Sequence, residues 1–144
     1  MAAPQFFTPQ RPSRSRPARR FSLSQANATL PLVQRIVADI VKAHAIANSH
    51  RERVESISGG KELTAAQAEL GKAVEHLKEL VEELSEVGAE LKDFETGLID
   101  FLGRHEGRDI YLCWKLGEEK ITHWHELNAG FAGRKPVAML KESA

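Results

Sequence analysis

Apolar residues recur with heptad spacing through the first half of the chain. From residue 33 the two rows are Val33, Ile40, Ala47 and Val54, then Ile36, Ala43, His50 and Ile57. After Ser58-Gly59-Gly60 the pattern resumes in rows of Leu63, Leu70, Leu77, Leu84 and Leu91, then Gln67, Val74, Val81 and Gly88. Heptad rows bury one stripe of each helix, and a short Gly-rich connection brings the stripes together. The pattern therefore predicts a long antiparallel helical (coiled-coil) hairpin over residues 21–88.

Local signals mark the ends of these helices. Ser22 followed by Gln25 three residues later forms a capping box, and Phe21 precedes it as a hydrophobic staple against the first turns. Pro31 either lies in the first turn of the main helix or kinks a helix that began near Leu23. Gly88 is predicted to end the second helix.

Beyond Gly88 the pattern becomes typical of strands. Short β-branched and aromatic runs at 98–101, 110–116 and 121–127 predict three strands, separated by a polar loop at 102–109 and a hairpin turn near Glu118. Residues 128–136 are a Gly-rich loop. The predicted fold class is α+β, with the helical hairpin followed by a small three-stranded antiparallel β-meander in residues 89–137.

The register of the last two strands stays open at this stage. A tight turn at Glu118-Glu119 places Trp114 opposite His123, and a turn one residue longer or shorter exchanges the two faces. Either way, His123 and His125 point to the same side, because alternate residues of a strand share a face.

Charge divides the chain of 144 residues into an arm and a body. Residues 1–20 hold five Arg, four Pro and no acidic residue, which predicts a disordered basic arm for an acidic partner or a mere terminal extension. The remaining 15 basic and 20 acidic residues make the body negative, which argues against nucleic-acid binding by the body. We expect one domain over 21–137 and a short tail over 138–144.

Partners and location follow from the remaining features. No apolar run approaches the length of a membrane span, and a single Cys fits a reducing compartment, so cytoplasm is the expected location. The alternative, an organellar transit peptide, is disfavoured by the repeated prolines of the arm. The apolar residues Val37, Val41 and Leu80 lie outside the predicted seam, so another part of the protein must bury them. Either the C-terminal part or a second copy of the chain buries them, which predicts a homodimer or higher homo-oligomer through helix faces.

Candidate chemistry is concentrated in residues 110–134, which hold the only Cys, the only Tyr, both Trp and two of the six His. His123 and His125 could chelate one metal ion from one strand face, with oxygen or sulfur donors nearby. The candidate metal ligands are His125, Glu126, Asp100, Cys113 and His123, and the candidate ions are zinc, iron and manganese. The simpler interpretation is that each imidazole bonds a backbone carbonyl.

Two other groups allow a functional or a structural interpretation. Cys113 next to a histidine could be a thiol nucleophile, although a mid-strand Cys is more often an inert apolar residue. Arg134 after a Gly-rich run could bind an anion in a backbone nest, or it could bond strand-end carbonyls or Asp100.

Several uncommon residues recur together at spacings of a known family. They are Phe21-Ser22, Ala26-Asn27, Leu30-Pro31, Leu91-Lys92-Asp93, Gly97, Asp100-Phe101, Tyr111-Leu112-Cys113-Trp114, Leu116-Gly117-Glu118, Trp124-His125-Glu126 and Gly130-Phe131-Ala132-Gly133-Arg134. With these residues the chain resembles, from Phe21 to about Val137, a bacterial family catalogued as domain of unknown function family 2203.

The resemblance implies a helical hairpin with this C-terminal motif, but no activity. The polar positions that match the family pattern are Lys92, Asp93, Asp100, Glu118, His125, Glu126 and Arg134. Of these, Lys92, Asp93, Glu118 and Arg134 are the candidate ligand-binding residues. The family more often has an aromatic residue at position 123, so His125 with Glu126, Asp100 and Cys113 is the better metal set. Leu102 also replaces the usual Pro.

Three functions fit these observations. The first is binding of a metal ion or a small anionic ligand by the polar cluster of the meander. The second is a non-enzymatic interaction module that uses the helical hairpin. The third is a metal-dependent hydrolase or a thiol enzyme, which needs a larger pocket than about 50 residues enclose alone.

Overall fold

The computed structural model describes residues 19–140, and these form an α+β fold of two long helices followed by an antiparallel sheet. Helix α1 spans Leu23–Ser56 and α2 spans Gly60–Val87. The strands are β1 Ala89–Asp93, β2 Leu98–His105, β3 Arg108–Lys115, β4 His123–Glu126 and β5 Lys135–Pro136. The predictions for residues 1–18 and 141–144 lie outside the described residues. No helix within 19–140 has the length and apolarity required to span a bilayer.

The start of α1 is fixed by its cap and by the sheet. Ser22 and Gln25 form the predicted capping box, with side-chain to backbone distances of 3.0 and 3.1 Å. The helix has already begun when it reaches Pro31, which lies inside it. The N–H of Phe21 donates to the carbonyl of Leu102 at 2.8 Å, at a position of β2 that β1 no longer pairs with. This bond joins the base of the hairpin to the sheet.

The helices pack along a seam that differs in part from the predicted one. Both predicted rows of α1 face inward over their first residues, from Val33 to Ala47. On α2 the structure buries Ala66 and Leu80, whereas Gln67 is exposed and Val81 is only half-buried. Positions three and four residues apart lie on the same side of a helix, so the pattern alone did not distinguish these two rows.

Within residues 19–140 the sheet has five strands rather than the predicted three, in the order β1-β2-β3-β4-β5, and every neighbouring pair is antiparallel. The extra strand β1 follows α2 directly through Gly88, whose φ of 114° turns the chain. Leu91 continues the leucine row of α2, which hid this strand. The other extra strand, β5, has only two residues, and one of them is Pro136.

The predicted polar loop at 102–109 is wrong. Strands β2 and β3 continue through it as far as the pair His105 and Arg108. Only Glu106 and Gly107 form the turn, with φ of 51° and 80°. Positive φ at both central residues is the pattern of a two-residue hairpin whose twist matches the strands.

The connection between β3 and β4 decides the register that the sequence left open. The structure pairs Cys113 with His123 and Tyr111 with His125, so the tight-turn alternative is not the one observed. The connection is longer because Ile121 is held before β4 begins, by a hydrogen bond from its N–H to Asn27 Oδ1 at 2.9 Å. The two histidines consequently share a face with Cys113.

The two faces of the sheet have opposite character. One face joins the core of the hairpin through Ile99, Phe101, Ile110, Leu112, Trp114 and Trp124. Gly97 contacts α1 so closely that a Cβ there would lie 2.8 Å from Val37 Cγ1, so the C-terminal part covers Val37 and Val41. The other face, directed away from the helices, carries Glu90, Lys92, Asp100, Tyr111, Cys113, His123 and His125. The candidate metal ligands Asp100, Cys113 and His125 therefore lie on this face, which is called the helix-free face below.

Candidate metal centre

Three side chains of metal-ligand type converge on the helix-free face. Asp100 in β2 and Cys113 in β3 are directly opposite, and His125 reaches them from the neighbouring row in β4. One donor atom from each of the three lies within 4.8 Å of the others. All three residues are buried, with exposures of 3%, 0% and 2%. The strands, rather than a flexible loop, hold this triad of Asp100, Cys113 and His125.

The orientation of the His125 ring is fixed by two hydrogen-bonding contacts. Nδ1 lies 2.7 Å from the carbonyl oxygen of Glu126, and since a carbonyl only accepts, Nδ1 carries a proton and donates it. Nε2 lies 3.1 Å from both carboxylate oxygens of Asp100. A neutral ring would direct the Nε2 lone pair at those oxygens. A positive centre between His125 and Asp100 removes this repulsion, either a hydrogen-bonding proton carried by Nε2 or by the carboxyl group, or a metal ion.

In the metal-free triad, Asp100 favours the protonated forms of both His125 and Cys113. Burial disfavours a charged His125 ring, but the hydrogen bond and charge of Asp100 outweigh it and raise the pKa of His125 above its ordinary value. Burial, together with the negative charge of Asp100, raises the pKa of the Cys113 thiol to about 12. When His125 is protonated it forms an ion pair with Asp100, and the neutral Cys113 thiol beside this pair is inert as a nucleophile.

A second polar group adjoins the triad on the same face. Glu90, 7% exposed, lies directly opposite Asp100 in the β1–β2 pair. Its Oε1 accepts from Lys92 Nζ at 3.1 Å and from the Tyr111 hydroxyl at 3.3 Å, while the Tyr111 ring lies 5.5 Å from the His125 ring. Glu90 was not predicted as part of the site, because it falls in a run of glutamates that resembles a continuation of α2. Its alternation with Lys92 was the available signal.

The structure separates two of the predicted metal ligands from the triad. Glu126 points to the opposite face, where it accepts two hydrogen bonds from Arg108 at 2.9 and 2.6 Å. His123 is half-buried on the correct face, and its Nδ1 lies 2.9 Å from the hydroxyl of Thr122. His123 nevertheless falls outside the triad, although it is opposite Cys113.

The four predicted ligand-binding residues all form hydrogen bonds within the fold, and only one of them lies near the triad. Glu118 accepts the Lys115 N–H at 2.8 Å and two bonds from Arg134 at 2.9 and 3.0 Å, so it holds the end of β3 to the Gly-rich loop. Asp93 caps the β1–β2 turn through the N–H of Thr96. Lys92 alone lies beside the triad, through Glu90. Each of these four side chains therefore has a structural role in the fold.

Comparisons with known proteins agree with the resemblance described above. A family model described as "Uncharacterized conserved protein (DUF2203)" matches residues 19–137, which is most of the chain and includes the helical hairpin and the whole triad. Neither the curated proteins nor the solved structures contain a match. The chain therefore belongs to the DUF2203 family of uncharacterised conserved proteins.

Proposed function

We propose that this protein binds one divalent metal ion, preferably zinc, through Asp100, Cys113 and His125. The observation that carries the proposal is the buried contact between Nε2 of a Nδ1-protonated His125 and the Asp100 carboxylate, with Cys113 within reach. Metal-bound histidines typically donate their other ring N–H to a backbone carbonyl in this way.

The spacing of the donors fits such an ion. Two nitrogen or oxygen donors about 2.0–2.1 Å from one tetrahedral ion are about 3.3 Å apart. His125 Nε2 and the Asp100 oxygens are already 3.1 Å apart, and Cys113 lies within 4.8 Å of both. Small side-chain rotations on rigid strands therefore suffice to bring all three donors to one ion.

The charge of the buried triad supports the same conclusion. Without metal, the positive His125 balances Asp100 and the thiol is neutral. With a divalent ion, neutral His125, the Cys113 thiolate and Asp100 again sum to zero. The ion therefore replaces two protons and leaves the net charge of the site at zero. This matters because net charge in a buried site of low dielectric constant is strongly disfavoured.

The donor set indicates zinc among the candidate ions. A thiolate and an imidazole are soft or borderline ligands, which zinc accepts more readily than manganese, and zinc lies above manganese and iron in the general order of affinities. Three protein donors also leave a fourth tetrahedral position to water or a small ligand, as in catalytic zinc sites.

Cobalt titration tests the proposal. Cobalt(II) added to the metal-free protein should give saturable visible bands of a tetrahedral site at one equivalent, together with near-ultraviolet sulfur-to-cobalt absorption. Cys113 is the only cysteine, so Cys113→Ser should abolish that absorption. His123→Ala, which alters a histidine outside the triad, is the matched control and should titrate like the wild type. A wild-type protein without the sulfur band would contradict the proposed ligand set.

A further inference from the structure

The side of the hairpin that faces away from the sheet carries a groove between α1 and α2. Its volume is about 530 Å³, with lining residues Leu32, Arg35, Ile36, Ala38, Asp39, Leu80 and Glu83. Ile36 and Leu80 form a buried apolar floor, at 3% and 8% exposure, whereas the large side chain of Leu32 is 50% exposed at the rim. The metal site uses none of these residues.

The rim of the groove carries both positive and negative side chains. Among residues 19–140, the ion pairs involve neither Arg35 nor Asp39 nor Glu83. Arg35 and Asp39 lie one helical turn apart on the exposed side of α1, with the small Ala38 between them. One helix thus presents a positive and a negative group on either side of a point where another helix can approach closely.

We propose that this groove is the interface of a homodimer, and that α1 of a second copy occupies it. When two α1 helices cross antiparallel about a twofold axis at the level of residue 37, midway between Arg35 and Asp39, Arg35 of each copy lies opposite Asp39 of the other. Two equivalent ion pairs form at once, which is the signature of an isologous interface. A foreign helix would need the same charges by coincidence, whereas α1 already carries both at the required spacing.

Apolar packing completes the interface. Leu32 precedes Asp39 by seven residues and therefore lies on the same side of α1. At the crossing it is directed toward the second copy, beside the Ile36 and Leu80 floor. The two hairpins then form a four-helix arrangement with the sheets on the outside. Both metal sites stay on faces remote from this interface, so the dimer and the metal site are independent proposals.

A charge exchange in the full-length chain tests the dimer, with analytical ultracentrifugation as the readout. Asp39→Arg places a second guanidinium opposite Arg35 in both equivalent contacts, and Arg35→Asp places a second carboxylate opposite Asp39. Each single variant should raise the dimer dissociation constant at least about 100-fold, since like charges across an interface cost several kcal/mol. The double variant R35D/D39R exchanges both signs and should restore the dimer.

Controls separate the interface from folding. All the substituted positions are exposed, so circular dichroism should be unchanged. Leu32→Glu should weaken the dimer, whereas Leu127→Glu, at an equally exposed leucine (51%) after β4, should not. A wild-type chain that is monomeric throughout, single variants that dimerise normally, or a double variant that stays monomeric would each overturn the proposal.

Discussion

Asp100→Ala in the metal-free protein is expected to lower the free energy of unfolding by about 3–5 kcal/mol, because removal of one member of a buried ion pair leaves the other uncompensated. The side chains of Asp100 and His125 are only 4% and 3% exposed. Burial therefore prevents water from replacing the lost partner. Urea unfolding monitored by tryptophan fluorescence measures the change.

A double-mutant cycle identifies the pair as the cause. His125→Ala should also destabilise the fold, whereas the double variant should lose less than the sum of the single losses. Arg108→Ala removes one side of an exposed ion pair with Glu126 and should have a much smaller effect. If the losses at Asp100 and His125 simply add, the two side chains do not interact as described.

Zinc is expected to raise the stability of the folded protein substantially. At a free concentration about 100 times its dissociation constant, it should add about 2.7 kcal/mol to the free energy of unfolding. For a chain of this size, that corresponds to a rise in Tm of about 10 °C. Cys113→Ser should abolish most of the gain, and magnesium should not reproduce it because it prefers oxygen ligands. A Tm that is unchanged at saturating zinc would contradict metal binding by the triad.

The pH dependence of this gain has a definite sign. The folded pKa of His125 is raised, so its ion pair with Asp100 stabilises the metal-free fold fully below the unfolded pKa of about 6.5. That contribution is lost as the pH rises through the folded pKa. Zinc displaces the protons of His125 and Cys113, so its contribution grows in the same direction. Thermal unfolding from pH 5.5 to 8.5, with and without zinc, should give curves that diverge with increasing pH.

The helices were predictable because local rules determine them. Ser22 and Gln25 cap α1, and Gly88 ends α2, through short-range hydrogen bonds and backbone freedom that the sequence shows directly. The strands depend on partners that the sequence does not show. Strand β5 contains Pro136 and exists only because it pairs with β4. The end of β2 contains the polar residues Arg104 and His105 and was therefore predicted as a loop. These residues form a strand because they pair with Asp109 and Arg108 of β3.

The sequence indicated the residues of the candidate site, but it did not show which of them lie together. Asp100, Cys113 and His125 were all named, yet Glu126 and His123 were grouped with them. Alternation places Glu126 on the opposite face once β4 is a strand, whereas excluding His123 needs its actual side-chain position. The register depends on Ile121, which bonds Asn27 of α1 from 94 positions away. No local pattern contains that contact.

The most direct measurement of the central claim is metal content, by elemental mass spectrometry of untagged protein purified without chelator. We expect about one zinc per chain in the wild type, little in His125→Ala, and wild-type content in His123→Ala, which changes a histidine on the same face of β4 but outside the triad. Equal zinc in the wild type and His125→Ala, or no metal in the wild type even after incubation with zinc, would contradict the account.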